Sequence, residues 1–328
     1  MMIRAALLTL AMVAPLCAQM DGFSKEQIVK YTPNWTGERL DDGRPKVSDA
    51  LIERIKKVRM TSEEAAWGPL RLTHNYMHQW EGNWKILNPE KGLVGRAFTV
   101  QYLPGRPEVT KIIEDEASAK GLSQHNVRMM DMLRPGDVMV VDMAGGRVVD
   151  GVIAGDNLAV AVWARTGNGF VVNGAIRDQE GIEPHGFPVY IKGVWPGVFG
   201  DLMLTGINVP IRIGDVTVMP GDLVVGDREG VTFVPPHLAE ELAANAEMYD
   251  LADEWRMKKF VDNPGTIKPS DLYGRNSMRD PAMQKECAEF VNRKLKEKGL
   301  SEADQKKWQT RTYSGSGCFP RLPDAKKK

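Results

Sequence analysis

Two short runs rich in β-branched and apolar residues, Asp137 to Asp142 and Phe170 to Asn173, flank a segment from about Asn157 to Arg165. In that segment Leu158, Ala159, Val162 and Trp163 recur at helical spacing, and Gly167 stands where a left-handed residue would end the helix. Strand, helix, strand is the arrangement this predicts. Gly155-Asp156 precedes the helix, so Asp156 is expected as its N-cap, with the unpaired amides of the first turn turned toward any anion placed there. Arg177-Asp178 follows the second strand. Twenty residues separate Asp156 from Arg177, enough for one helix and one return strand. The chain can therefore gather a helix N-terminus, a guanidinium and two carboxylates at one rim.

An Asp, twenty residues, then Arg-Asp and an acidic residue two further on, here Glu180, resembles the RraA-like family. That family contains divalent-metal-dependent 4-hydroxy-4-methyl-2-oxoglutarate / 4-carboxy-4-hydroxy-2-oxoadipate aldolases and ribonuclease-regulator proteins. Other pieces agree in order: Val47-Ser48-Asp49-Ala50-Leu51 is similar to the family's opening helix, and Val94 to Val100 to its first core strand. Pro188-Val189-Tyr190, Pro220 to Asp227 and Gly230-Val231 also fit, so the resemblance runs over roughly residues 45 to 236. One departure stands out. The aldolase pattern has a Gly four residues before the Asp, and here that position is Val152, with Gly151 and Gly155 nearby.

The resemblance implies an α/β chain with the swivelling β/β/α domain, here with helical N- and C-terminal extensions, assembled as a homotrimer or hexamer with the site near a subunit boundary. It also implies a chemistry. Cleaving a 4-hydroxy-2-oxo acid to pyruvate requires an electron sink for the enolate, counter-charge for the carboxylates and a base for the hydroxyl proton. Mg²⁺ or Mn²⁺ can be that sink, because each keeps several waters and needs only one or two protein carboxylates. Carried over, the roles are Asp178 on the metal, Arg177 on the substrate's carboxylate or oxyanion, and Asp156 orienting or deprotonating through a water. The backbone of Gly155, Asp156, Asn157 and Leu158 would grip the pyruvate carboxylate, and Glu180 would hold a water or Arg177 from behind. Each has a plainer alternative: Asp156 as a helix cap only, Arg177-Asp178 as a strand-end ion pair.

The rest of the chain sets limits on these readings. Its 43 basic residues balance 43 acidic ones among 328, so no global field draws it to nucleic acid. Phosphate loop, dinucleotide fingerprint and serine nucleophile elbow are all lacking. Residues 1–18 read as a secretory signal peptide, with Arg4 before an apolar core from Ala5 to Leu16, which predicts an exported, periplasmic or secreted protein without stable membrane insertion. Processing would leave Cys287 and Cys318, which an oxidising compartment allows to pair.

Residues 19–92 are expected as an N-terminal arm and helices, 93–236 as the core and 237–328 as a helical extension. Residues 19 to 45, polar and with Pro33 and Pro45, read as an extended arm outside the core. Thr61 to Glu64 has capping-box spacing and predicts a helical stretch, part of a tryptophan-rich insert over residues 62–85 that is longer than the connection the resemblance implies, carrying Trp67, His74, Tyr76, His78, Trp80 and Trp84. His74 and His78 would then share a face, though packing or lining a pocket wall explains them as well as a metal does. Asp142, Asp150, Asp222 and Asp227 read as turn residues and His185 as a loop residue. A non-catalytic binding protein on the same scaffold, or an enzyme for a sugar acid or aromatic-derived substrate, is the alternative to the aldolase.

Overall fold

Four parallel strands form the centre of the protein: β3 (Leu93–Pro104), β4 (Asp137–Met143), β5 (Phe170–Ile176) and β6 (Val189–Val194). The structure is a computed structural model that describes residues 22–298 except 59, 61–65, 67, 124, 199, 274–277 and 279, together with Cys318. The expected signal segment 1–18, the Thr61–Glu64 box and Trp67 lie outside the described residues.

All seven residues of β4 and all seven of β5 are buried, because both faces of the sheet are covered, and this is why the two runs read as continuously apolar. Alternation sends Met139, Val141, Phe170 and Val172 into one core with Ala159 and Val162. Val138, Val140 and Val171 go to the opposite core, under the hairpin of β8 (Ile211–Ile213) and β9 (Val216–Val218).

Antiparallel strands extend the centre on both sides into a curled nine-stranded sheet. β10 (Leu223–Gly226) pairs with the first part of β3 and with β11 (Val231–Val234), which in turn pairs with β1 (Trp80–Glu81). β2 (Lys85–Leu87) pairs with β6 at the other end. From Val100 onward β3 pairs antiparallel with β7 (Leu202–Ile207), with a register shift between Gln101 and Tyr102. The long helix α8 (Ala239–Asp262) packs with α2 (Asp49–Ile55) over a third core. Ser48 caps α2 by accepting from Leu51 N, as the sequence predicts. α4 (Pro107–Ala119) and α5 (His125–Asp131) lie between β3 and β4 in the chain, and Cys287, in α10 (Pro281–Glu297) beyond the short α9 (Pro269–Leu272), is bonded to Cys318. Among the described residues no helix is long and apolar enough to cross a membrane.

Two expectations are corrected. Residues 22 to 45 are folded: α1 (Lys25–Tyr31) starts from a Ser24/Gln27 capping box, Gly22 bridges Ile207, and Arg44 is wholly buried. Arg44 makes a two-pronged pair with Asp137 (2.9 and 3.0 Å) and bonds Asp42 and the Ala97 carbonyl. Nor do His74 and His78 share a helix. The helix α3 (Gly68–Leu72) is short, Asn75 breaks the path with φ 60°, and His74 pairs with Glu241 at 3.0 Å.

Asp222 serves its turn as expected, its Oδ2 accepting from Met219 N at 2.8 Å. Complete burial, only partly offset by that bond, pushes its carboxyl up to about 8. The folded state therefore binds a proton that the unfolded chain releases near its ordinary 3.8, so the stability this group contributes is full below about pH 4 and is lost as pH rises through 8. Asp222→Asn, neutral at every pH, is expected to be more stable than the parent by on the order of several kcal/mol at pH 8.5, and to lose that advantage near pH 4. Urea unfolding at the two pH values checks this; a constant difference would rule out the buried carboxyl as its source.

Candidate active site

Residues 151–154 run beside the end of β5. Ala175 N donates to Gly151 O, Ile153 N to Ala175 O, and Arg177 N to Ala154 O, all at 3.0–3.1 Å, and Val152 bridges Ala175. This register delivers Gly155, and the helix α6 (Asp156–Thr166) that follows, to the Arg177-Asp178 corner. A Cβ on Gly155 would lie 2.6 Å from Asp178 Oδ2 and 3.0 Å from Arg177 Nε, so a larger residue here would push those two side chains aside. Gly167 ends α6 at φ 72°, its amide on Trp163 O, as the spacing predicts.

Asp156 is not the N-cap. Gly155 holds that position, and Asp156 is the first helical residue, folded over the amide of its neighbour: its Oδ1 accepts from Asn157 N (2.6 Å) and Asn157 Nδ2 (2.9 Å). Asn157 N is thereby occupied, which removes it from the expected anion grip. The amides of Asp156 and Leu158 have no acceptor inside the helix, whose ladder begins with Ala159 N on Gly155 O. The Asp156 carboxylate also lies against Gly181, where a Cβ would meet Oδ2 at 2.6 Å. Gly181 belongs to α7 (Gln179–Ile182), the short helix that starts after Asp178. Leu158 is half-buried and packs on the core.

Asp178 has φ 55°, a left-handed conformation that costs a residue other than glycine roughly 1 kcal/mol and that Asp tolerates better than most. The turn sends its carboxylate back to Arg177 Nε at 3.2 Å, with the two side chains 38% and 49% exposed. Both remain accessible to a ligand. Glu180 departs from expectation: exposed in the first turn of α7, it makes no hydrogen bond or ion pair with Arg177 among the described residues. Val152 is buried in the edge pairing and does not reach the rim.

On the other face of β5 the structure gathers a polar group of which sequence reasoning singled out Asp142, as a turn residue. Asp142 accepts from Asn173 Nδ2 (2.8 Å), Gln101 Nε2 (2.8 Å) and Gly145 N (3.1 Å), and it lines a polar cavity of about 610 Å³ with Asn173 and Lys192. Lys192 is held by Glu81 at 2.8 Å and lies 3.9 Å from the Trp84 ring, so the tryptophan-rich insert walls this cavity. The period-2 continuation Val138, Val140, Asp142 was the available signal. His185, expected in a loop, instead ends a short 3₁₀ helix, Glu183–His185, its ring beside Trp163 and Phe187. Asp227 serves a turn, accepting from Glu229 N.

Comparison with known proteins gives a consistent picture. A Halalkalibacterium halodurans protein provisionally named 4-hydroxy-4-methyl-2-oxoglutarate aldolase is 33% identical over 184 residues, 56% of this chain and 79% of its own length. A 4-hydroxy-4-methyl-2-oxoglutarate aldolase of Thermus thermophilus is 26% identical over 131 residues, 40% of this chain and 74% of that one. The crystal structure of Streptomyces coelicolor RraAS2, described as an unusual member of the RNase ES inhibitor RraA protein family, matches with a TM-score of 0.54. It is 25% identical and covers 65% of this chain and 100% of that one. With its residues 45–233 matched by the family model described as Aldolase/RraA, more than half of its length, the chain belongs to the RraA-like family.

Proposed function

We propose that the chain is a divalent-metal-dependent carbon–carbon lyase that cleaves a 4-hydroxy-2-oxo acid to pyruvate and can decarboxylate oxaloacetate. The observation that carries this reading is the approach of Gly155 to Arg177 and Asp178, which leaves helix amides, a guanidinium and carboxylates around one open corner. Names borne by the relatives support the reaction class.

No group of three or more His, Cys, Asp or Glu able to hold a metal gathers among the described residues. That donor set is unsuited to an all-protein cage, but it fits Mg²⁺ or Mn²⁺ held by Asp178 with waters and substrate completing the shell. Such an ion, when bound, would supply the electron sink for the enolate. The chain's own groups do the rest. Arg177 pairs with the substrate carboxylate through a planar, two-pronged donor. The Asp156 and Leu158 amides receive the 2-oxo acid end at the positive pole of α6. Asp156 takes the hydroxyl proton through a water, and Glu180, facing solvent, orients that water.

Export is part of the proposal, supported by the Cys287–Cys318 bond, which an oxidising compartment preserves. So is assembly into a homotrimer or hexamer, which would place the half-exposed corner against a neighbour.

The test is pyruvate release from 4-hydroxy-4-methyl-2-oxoglutarate with added Mg²⁺ or Mn²⁺ and again after EDTA. Chelation is expected to lower the rate at least about a hundredfold and re-addition of metal to restore it. Turnover that survives chelation sinks the metal-dependent reading; a folded protein with no turnover on any 2-oxo acid would favour a binding role instead.

A further inference from the structure

A cavity of about 380 Å³ lies apart from the Arg177 corner, within the size range of small-molecule sites. Segments outside the matched family region build much of it: Tyr31 and Trp35 precede residue 45, and His237 follows residue 233. Tyr76 and His78 come from the tryptophan-rich insert, and Asp222 from the turn before β10.

Three features specify an occupant. The first is a fixed aromatic surface: Trp35 Nε1 donates to Glu38 O at 2.8 Å, and a Cβ on Gly37 would meet the indole at 2.6 Å, so the ring is seated before any ligand arrives. Tyr31 and Tyr76 add two more rings. The second is Asp222, 3% exposed, with one carboxyl oxygen on Met219 N and the other accepting no hydrogen bond among the described residues. Asp222 lines the cavity, so that second oxygen is available to a ligand entering it. The third is charge: among the described residues no Lys or Arg lines the cavity, so a carboxylate or phosphate would find no counter-ion there. Burial keeps Asp222 protonated at neutral pH, able to donate as well as accept, and it also holds His237 below the usual imidazole range and hence neutral.

We propose that this cavity binds an uncharged aromatic molecule bearing a hydroxyl group, its ring against Trp35 and Tyr76 and its hydroxyl on the Asp222 carboxyl. The site is separate from the Arg177 corner and does not depend on the lyase reading.

Titration of the full chain with 2-naphthol at pH 7, followed by calorimetry and tryptophan fluorescence, tests it. Saturable one-to-one binding is expected, weakened at least about tenfold by Trp35→Ala. Tyr31→Ala, on an exposed side chain whose loss spares folding, should weaken it severalfold. Naphthalene and 2-naphthoate should bind about tenfold or more weakly, the first lacking the hydroxyl and the second carrying an unmatched charge. Arg177→Ala should bind 2-naphthol as the parent does. The proposal is overturned by absent saturation, by 2-naphthoate or a naphthyl trimethylammonium binding as tightly as 2-naphthol, by affinity unchanged in both aromatic variants, or by affinity lost in Arg177→Ala.

Discussion

Arg177→Ala is expected to lower kcat/KM for pyruvate release by about a hundredfold to a thousandfold while leaving the fold intact. The two halves of that expectation have different causes. The side chain is 38% exposed and its ion pair with Asp178 is open to solvent, so removing it costs the folded state at most about 1 kcal/mol. In a substrate complex the same guanidinium would face a carboxylate with charge developing beside it, and loss of such a donor is worth about 3–4 kcal/mol in the transition state. Arg177→Lys keeps the charge without the planar fork, so partial recovery is expected. Steady-state kinetics with a melting curve on each variant decides the matter. An alanine variant turning over at near the parental rate would remove Arg177 from the site.

Arg44→Ala is expected to destabilise the protein by about 3–5 kcal/mol, close to the largest effect a single change produces. Its guanidinium is wholly buried, as is the Asp137 carboxylate it grips with two bonds. Truncation strands that carboxylate inside the protein with, among the described residues, only Arg134 N to bond it. The double variant Arg44→Met, Asp137→Leu removes both charges and should regain much of the loss, since it is the orphaned charge that is costly. Urea unfolding monitored by fluorescence is the measurement, and a loss below about 1 kcal/mol for the single change would show that water reaches Asp137. A fragment beginning at residue 45, where the family match starts, is expected to suffer the same defect.

That pair also marks where the sequence stops being legible. Strand, helix, strand over 137–176 could be read because each element carries its own period and Gly167 its own stop. The meeting of Gly155 with Arg177 and Asp178 followed from spacing, since one helix and one strand must return the chain to its starting edge. Arg44, by contrast, sits in a polar, proline-containing stretch with no periodicity, and its partner is 93 positions away. Nothing local announces such a pair. Asp156 was misplaced by one residue for a related reason: Asp is a common cap, and only the fold shows Gly155 in that place, with Asp178 packed close against it. His74 and His78 misled because their spacing suits a helix that Asn75 interrupts.

β1 and β2 lie at opposite ends of the strand order, yet only Gly82, Asn83 and Trp84 join them in the chain. So short a link reaches no more than roughly 15 Å, which forces the two margins of the sheet to face each other. Residues 80–87 thus act as a clasp across a nearly closed cylinder, and each margin ends in a strand of two or three residues. Such stubs offer little template for a foreign strand. Copies of this chain that associate would gain little from strand pairing at these two margins.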